Sequence, residues 1–265
     1  MTKIVLVLFA CTACASAPVA TESTPVSSVS EPVLLGAAQW ADSSRRVIDA
    51  ATIAGDIDEL RAAKLVIEKA LGAYPNDPLL LHYDGYAMYR EAGIRQGLGG
   101  PEARDVPLIH ATARTKLQQS LAAQPIAETH ALMAMVMGSL IGEDHSMAPL
   151  LGPQIPQEMN AAITMAPNNP RVWLLRGIQS FYTPVQYGGG LPVAETQLTR
   201  AVEFFATDNP APPLPSWGRA EAYVWLGQVL QKQGRTAEAR AAYNKALALQ
   251  PNYPWVIYSL LPSLK

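Results

Sequence analysis

The chain has 265 residues, nearly half of them apolar, with 20 basic residues against 22 acidic ones and a formal charge of -2. That much apolar material excludes wholesale disorder, and such a near-neutral charge balance offers no broad attraction for a phosphate backbone, which excludes nucleic acid as a partner. The only cysteines, Cys11 and Cys14, precede any stretch able to fold, so a disulfide, a thiol nucleophile and a cysteine metal site are excluded downstream.

Residues 1–17 place Lys3 before the short apolar run Ile4 to Ala10, followed by small residues. This is the pattern of an export signal. Seven apolar residues reach about 10 Å as a helix against a hydrocarbon core of about 30 Å, so the segment is too short to anchor the chain by spanning a membrane. Leu8-Phe9-Ala10-Cys11 resembles a bacterial lipobox, which makes Cys11 the lipidation candidate, with Phe9 a bulky departure from the pattern. Cys14 is a rival acceptor, and cleavage after Ala15 or Ala17 to a soluble product is the third alternative. Residues 18–38, rich in Ser, Thr, Pro, Val and Ala and without helical period, read as a flexible linker, and residues 39–265 as the folded domain.

Within that domain a segment ending recurs: Ala70 to Pro75, Ser120 to Pro125, Ala162 to Pro167 and Ala246 to Pro251, with Ala201 to Ala206 as a degraded copy. Pro75-Asn76-Asp77-Pro78, Pro167-Asn168-Asn169-Pro170 and Pro251-Asn252-Tyr253-Pro254 each stop one helix and start the next, because proline cannot continue a helix yet fits the first turn of another. Small residues seven apart, Ala63 with Ala70, Ala113 with Ser120, Ala194 with Ala201 and Ala239 with Ala246, share a helical face and admit a close neighbour. Gly85, Gly177 and Gly227 sit in one register of the opening helices. Each costs about 1 kcal/mol against alanine inside a helix, so close helix packing must offset it.

The stretch Ala220 to Pro251 resembles a tetratricopeptide repeat, with Tyr223, Leu226, Gly227, Leu230, Ala239, Tyr243, Ala246 and Pro251 at the family's large, small and terminating positions. The terminal prolines 75, 125, 167 and 251 are 50, 42 and 84 residues apart, so the units are longer than the standard repeat. The excess falls in Arg95 to Pro107, Glu143 to Pro156 and Thr183 to Pro192, whose Gly and Pro content predicts loops. The resemblance implies an all-α solenoid of about five hairpins: Trp40 to Gly72, Pro78 to Ala123, Ile126 to Ala166, Pro170 to Ala206 and Ser216 to Gln250. Pro254 to Leu261 is apolar enough to cap the last one.

Chemistry-bearing patterns are sparse. His82, His110, His130 and His145 lack metal-ligand spacing, and Glu143-Asp144-His145 reads as a solvated loop. Gly188-Gly189-Gly190 follows no strand and lacks the Lys-Ser or Lys-Thr of a phosphate loop. Asp56, Asp58 and Glu59 fall at a helix start, where acids favour the dipole. Neither a cofactor nor catalysis is expected.

In the family, the first helix of each hairpin lines an inner surface that receives a peptide or helix. The same register places His82, Tyr86 and Tyr89 inward in one repeat, Arg171, Ile178 and Phe181 in another, and Gln228 and Gln231 in the last. His82, Tyr86, Tyr89, Arg171, Phe181 and Gln228 are thus the partner-binding candidates, with inter-helix packing as the alternative role of the aromatics. Two functions follow from the resemblance. One is an exported adaptor in the periplasm, held at the outer membrane by a lipid anchor, that docks a protein or peptide segment of an envelope protein. The other is a small-molecule carrier similar to the T-component lipoproteins of TRAP transporters. A sealed apolar cavity would favour the carrier, and an open concave groove with exposed aromatics the adaptor.

Overall fold

The structure is a computed structural model, described for residues 35–264. The expected export signal, Cys11, Cys14 and nearly all of the expected linker therefore lie outside the described residues. The first helix begins at Ala37, ahead of the expected domain start.

Five helical hairpins follow one another. They are α1 (Ala37–Ala54) with α2 (Ile57–Ala73), α3 (Pro78–Leu98) with α4 (Val106–Ala123), and α5 (Ala127–Glu143) with α7 (Gln154–Met165), between which lies the short α6 (Ala148–Leu151). Then come α8 (Pro170–Tyr182) with α9 (Leu191–Phe205), and α10 (Arg219–Lys232) with α11 (Thr236–Leu249). First helices touch one another in the succession α1, α3, α5, α8, α10 and form the inner layer. Each second helix packs on its own partner and on the first helix of the next hairpin.

The boundaries have local causes. Asp56 accepts from Glu59 N at the start of α2, while Asp77 and Asn169 cap α3 and α8 just ahead of Pro78 and Pro170. A capping oxygen satisfies an orphan N–H at the point where proline needs no N–H of its own, so Pro-Asn-x-Pro ends and restarts a helix in four residues. The small residues do what their register requires. A Cβ on Gly85 would lie 2.7 Å from Leu117 and one on Gly177 2.6 Å from Leu198, and on Gly227 it would collide with the Tyr243 ring. Ala113, Leu117, Ala194 and Leu198 are fully buried against these glycines' helices.

Two sequence expectations change. The insertion from Glu143 to Pro156 is not a loop: it folds into a 3-10 turn at His145–Met147 and α6, and Pro156 lies in the first turn of α7, where its missing N–H costs nothing. Likewise α3 runs on past Arg95 to Leu98 before Gly99 stops it. The C-terminal segment does cap the solenoid, as a π turn at Val256–Leu260 with α12 (Leu261–Ser263), and Val256, Leu260 and Leu264 close a second apolar cluster around Tyr243 and Tyr253.

The chain between α9 and α10, residues 206–218, turns back across the inner layer. Tyr83 donates to the Pro213 carbonyl at 2.5 Å, and Arg45 donates to Ser216. Arg90 grips Glu221 with two hydrogen bonds of 2.8 and 2.6 Å, and Ile53 of α1 packs on the last apolar cluster. The first hairpins and the last are thereby joined across the inside of the curve.

Candidate functional site

One face of α3 carries His82, Tyr86, Tyr89 and Arg90, since residues three, four, seven and eight apart fall together on a helix. On this face rests the linker between α9 and α10. The Tyr86 ring stacks on Trp217 at 5.0 Å and 17°, and His82 lies nearly parallel to Tyr86 at 6.2 Å. The Arg90 guanidinium sits over Trp217 at 5.3 Å and over Tyr86 at 5.0 Å while Glu221 holds its charge. Burial alone would lower the pKa of Arg90, but Glu221 and the two tyrosines outweigh it and raise it well above normal.

Arg171 fills the neighbouring position from α8. It donates to both carboxylate oxygens of Asp208 at 2.8 Å and to Glu128 at 3.3 Å, and Asn169 donates to the same Glu128 oxygen at 2.7 Å. His82 accepts or donates one bond, Nδ1 to Thr129 Oγ1 at 2.9 Å, and burial pushes its pKa down to about 3, so the ring stays neutral. The inward register is thus realised, but His82, Tyr86 and Arg171 are only 0, 1 and 2 % exposed. The chain's own segment covers Tyr86 with Trp217 and Arg171 with Asp208, while His82 is enclosed by Thr129, Tyr83 and Tyr86. The sequence signal for this was Pro210, Pro212, Pro213, Pro215 and Trp217, a proline-rich run with one large aromatic that needs something to pack on.

The inner face stays accessible at its rim. Phe181 and Tyr182 end α8 and meet Trp225 of α10 edge-on at 5.7 and 5.8 Å, and Trp225 meets Trp255 at 5.9 Å. Tyr182 is 68 % exposed, Trp255 39 % and Tyr258, one helical turn on, 77 %. Tyr89 is partly buried beside them, its pKa pushed up to about 12 by burial, with Arg90 opposing and Tyr182 adding to the rise. Gln228 is half-buried one turn beyond Trp225, and Gln231 is committed to Tyr243 and Ser263. Of the six expected partner-binding residues, Tyr89, Phe181 and Gln228 remain near solvent. Tyr182, Trp225, Trp255 and Tyr258 escaped the sequence register because three of the four lie at a helix end or in the capping segment.

Two of the histidines pair with single acids. His110 meets Glu143 and His130 meets Glu158, both at 2.6 Å. Asp144 turns away from Glu143 to accept from Ser146 N, so the run Glu143-Asp144-His145 does not converge. Among the described residues no three His, Cys, Asp or Glu side chains are placed to share a metal ion.

A tetratricopeptide-repeat family model matches residues 220–253. Among solved structures the chain is similar to the HusA haemophore from Porphyromonas gingivalis, with TM-score 0.57 and 18 % identity over 75 % of this chain and 96 % of that one. It is also similar to TTC0263, a thermophilic TPR protein of Thermus thermophilus, with TM-score 0.56 and 19 % identity over 82 % and 94 %. No curated protein sequence matches. At such identities the likeness establishes the fold.

Proposed function

We propose that the chain, which shares the fold of tetratricopeptide-repeat proteins and matches that family's model at residues 220–253, is a non-catalytic scaffold that docks a polypeptide segment of an envelope protein on the aromatic rim of its inner face. The supporting observation is the run Phe181, Tyr182, Trp225 and Trp255, joined edge-to-face and still open to solvent on Tyr182 and Trp255. Large rings with a polar edge bind at low conformational cost, which is why they anchor interfaces. Tyr89, Phe181 and Gln228 are proposed as contacts, whereas Tyr86 and Arg171 act from beneath by holding the linker that shapes the floor, and His82 backs Tyr86. Export rests on the signal-like residues 1–17, and anchoring at the outer membrane on Cys11. No described helix is long and apolar enough to cross a membrane.

Crosslinking from the native envelope tests this. Replacing Tyr182 and Trp255 by alanine should weaken capture of the partner by about 2 kcal/mol or more, the level of an interface hot spot, and leave the helical signal intact. Undiminished capture by that double variant would remove the rim from the site. The haemophore shares this fold, so the competing reading is a small-molecule carrier. A bound organic ligand that copurifies with the chain and raises its melting temperature with concentration would favour the carrier.

A further inference from the structure

The α8–α9 hairpin contains, independently of the rim, an open hollow of about 440 Å3 lined by Trp173, Arg176, Thr196, Gln197 and Arg200 among others. Both arginines lie over the same indole, the Arg176 guanidinium 5.3 Å and the Arg200 guanidinium 4.4 Å from the Trp173 ring centre. The ring itself is fixed, because its Nε1 donates to the Pro167 carbonyl at 2.7 Å and Phe204 leans on it at 6.4 Å.

Arg176 is held as well. With the Gln197 amide oriented to satisfy both of its ends, its nitrogen donates to the Arg176 carbonyl at 2.9 Å and to Ser180 Oγ at 2.7 Å. Its oxygen then accepts from Arg176 Nε at 3.2 Å. Gln197 is buried, so this bond occupies the Nε edge and leaves the two terminal nitrogens of Arg176 for something else. The Thr196 hydroxyl is spent on the Pro192 carbonyl at 3.0 Å, so the donors of the hollow are the two guanidinium groups.

What sets this pair apart is that two unpaired cations share one ring: Arg104, Arg114, Arg219 and Arg240 also meet no carboxylate among the described residues, but none of them lies over a ring with a second arginine. Arg45, Arg90, Arg95, Arg171 and Arg235 each hold a carboxylate. Arg176 and Arg200 meet none among the described residues, and the pKa of Arg176 is lowered, first by burial and then by Arg200 itself. Two cations kept on one ring without a counter-charge repel each other, and the planar fork of each presents paired N–H donors suited to an oxyanion.

We propose that this hollow binds a phosphate group, carried by a soluble compound or by a lipid headgroup. A phosphate dianion offsets both charges at once and has oxygens enough for both forks, whereas a single carboxylate carries one charge and two oxygens, enough for one bidentate fork.

The full chain is titrated with inorganic phosphate at constant ionic strength, by calorimetry and by tryptophan fluorescence, and separately with vesicles of phosphatidylcholine with and without phosphatidic acid. Saturable binding is expected with half-saturation at about 1 mM or below for at least one phosphate source. Arg200→Gln should weaken it at least about tenfold and Arg176→Gln by as much, the loss of a charge-assisted contact. Inorganic phosphate alone identifies a soluble ligand, and a preference for phosphatidic acid that Arg200→Gln abolishes identifies a lipid. A second readout separates binding from architecture. Arg200 is exposed, so in phosphate-free, low-salt buffer Arg200→Gln should melt at or above wild type, because it relieves the repulsion. The proposal is overturned if neither source binds saturably, if affinity survives Arg200→Gln, or if that variant melts lower without phosphate.

Discussion

The packing of the two helices inside a hairpin and the contacts across the inner face are made of different materials. Between the two helices of a hairpin a glycine lies under an aliphatic or aromatic side chain, Gly85 under Leu117, Gly177 under Leu198 and Gly227 under Tyr243. Across the inner face the joints are ion pairs, stacked rings and hydrogen bonds, and they tie residues 130 to 171 positions apart. The difference is one of task. Close small-residue packing sets how the two helices of a hairpin sit together, whereas directional polar bonds choose which distant residues meet.

The largest effect should come from the polar side. Glu221→Ala leaves the largely buried Arg90 charge without its partner and should destabilise the domain by about 3 to 5 kcal/mol in urea denaturation. A wild-type midpoint for that variant would mean the inner-face pair contributes nothing and would erase the contrast. On the dry side, Gly177→Val should cost about 1 to 3 kcal/mol by overpacking Leu198, although helix propensity alone would favour valine slightly.

Asp49 sharpens the comparison with pH. Burial raises its pKa from 3.8 to about 7, against the opposing pull of Arg90 and Arg45. A raised folded pKa means that its contribution to stability is complete below about 4 and is lost as pH rises through about 7. Asp49→Asn should therefore melt a few degrees above wild type at pH 8 and show little or no gain at pH 4, and a gain equal at both values would refute the assignment. Smallest of all, Tyr258→Ala should change stability by less than about 0.5 kcal/mol, as expected of an exposed side chain outside both kinds of contact.

How far each region was legible follows from the same contrast. Repeat packing is periodic, so the shared face of Ala63 and Ala70, or the need for a close helix neighbour at Gly227, could be read from the sequence. The five hairpins followed from the tetratricopeptide resemblance together with the small-residue spacing and Pro-Asn-x-Pro, and the cap from the apolar content of Pro254 to Leu261. The closure is not periodic. Nothing in the vicinity of Arg90 points to Glu221, and a stretch such as Asn209 to Trp217 reads as a turn until its packing partner is seen. Arg171 illustrates the limit. Its inward direction followed from register, but its commitment to Asp208 and Glu128 depends on where a linker lies. The insertion at 143–156 failed for another reason: Pro149, Pro153 and Pro156 argue against one long helix, but each is acceptable at the first turn of a short one.

The pair of Arg90 and Glu221 also has a consequence for counting. In an open repeat array each unit touches only its neighbours, so units can be added or lost at little cost to the rest. Here α3 and α10 must stand a fixed number of hairpins apart for the two side chains to meet, and Ser216 must arrive opposite Arg45 at the same time. Inserting or deleting one repeat would carry α10 away from α3 and strand the charges of both. The number of hairpins between α1 and α10 is thereby locked by chemistry, and duplication within that span, the usual route by which such arrays lengthen, is closed to this one.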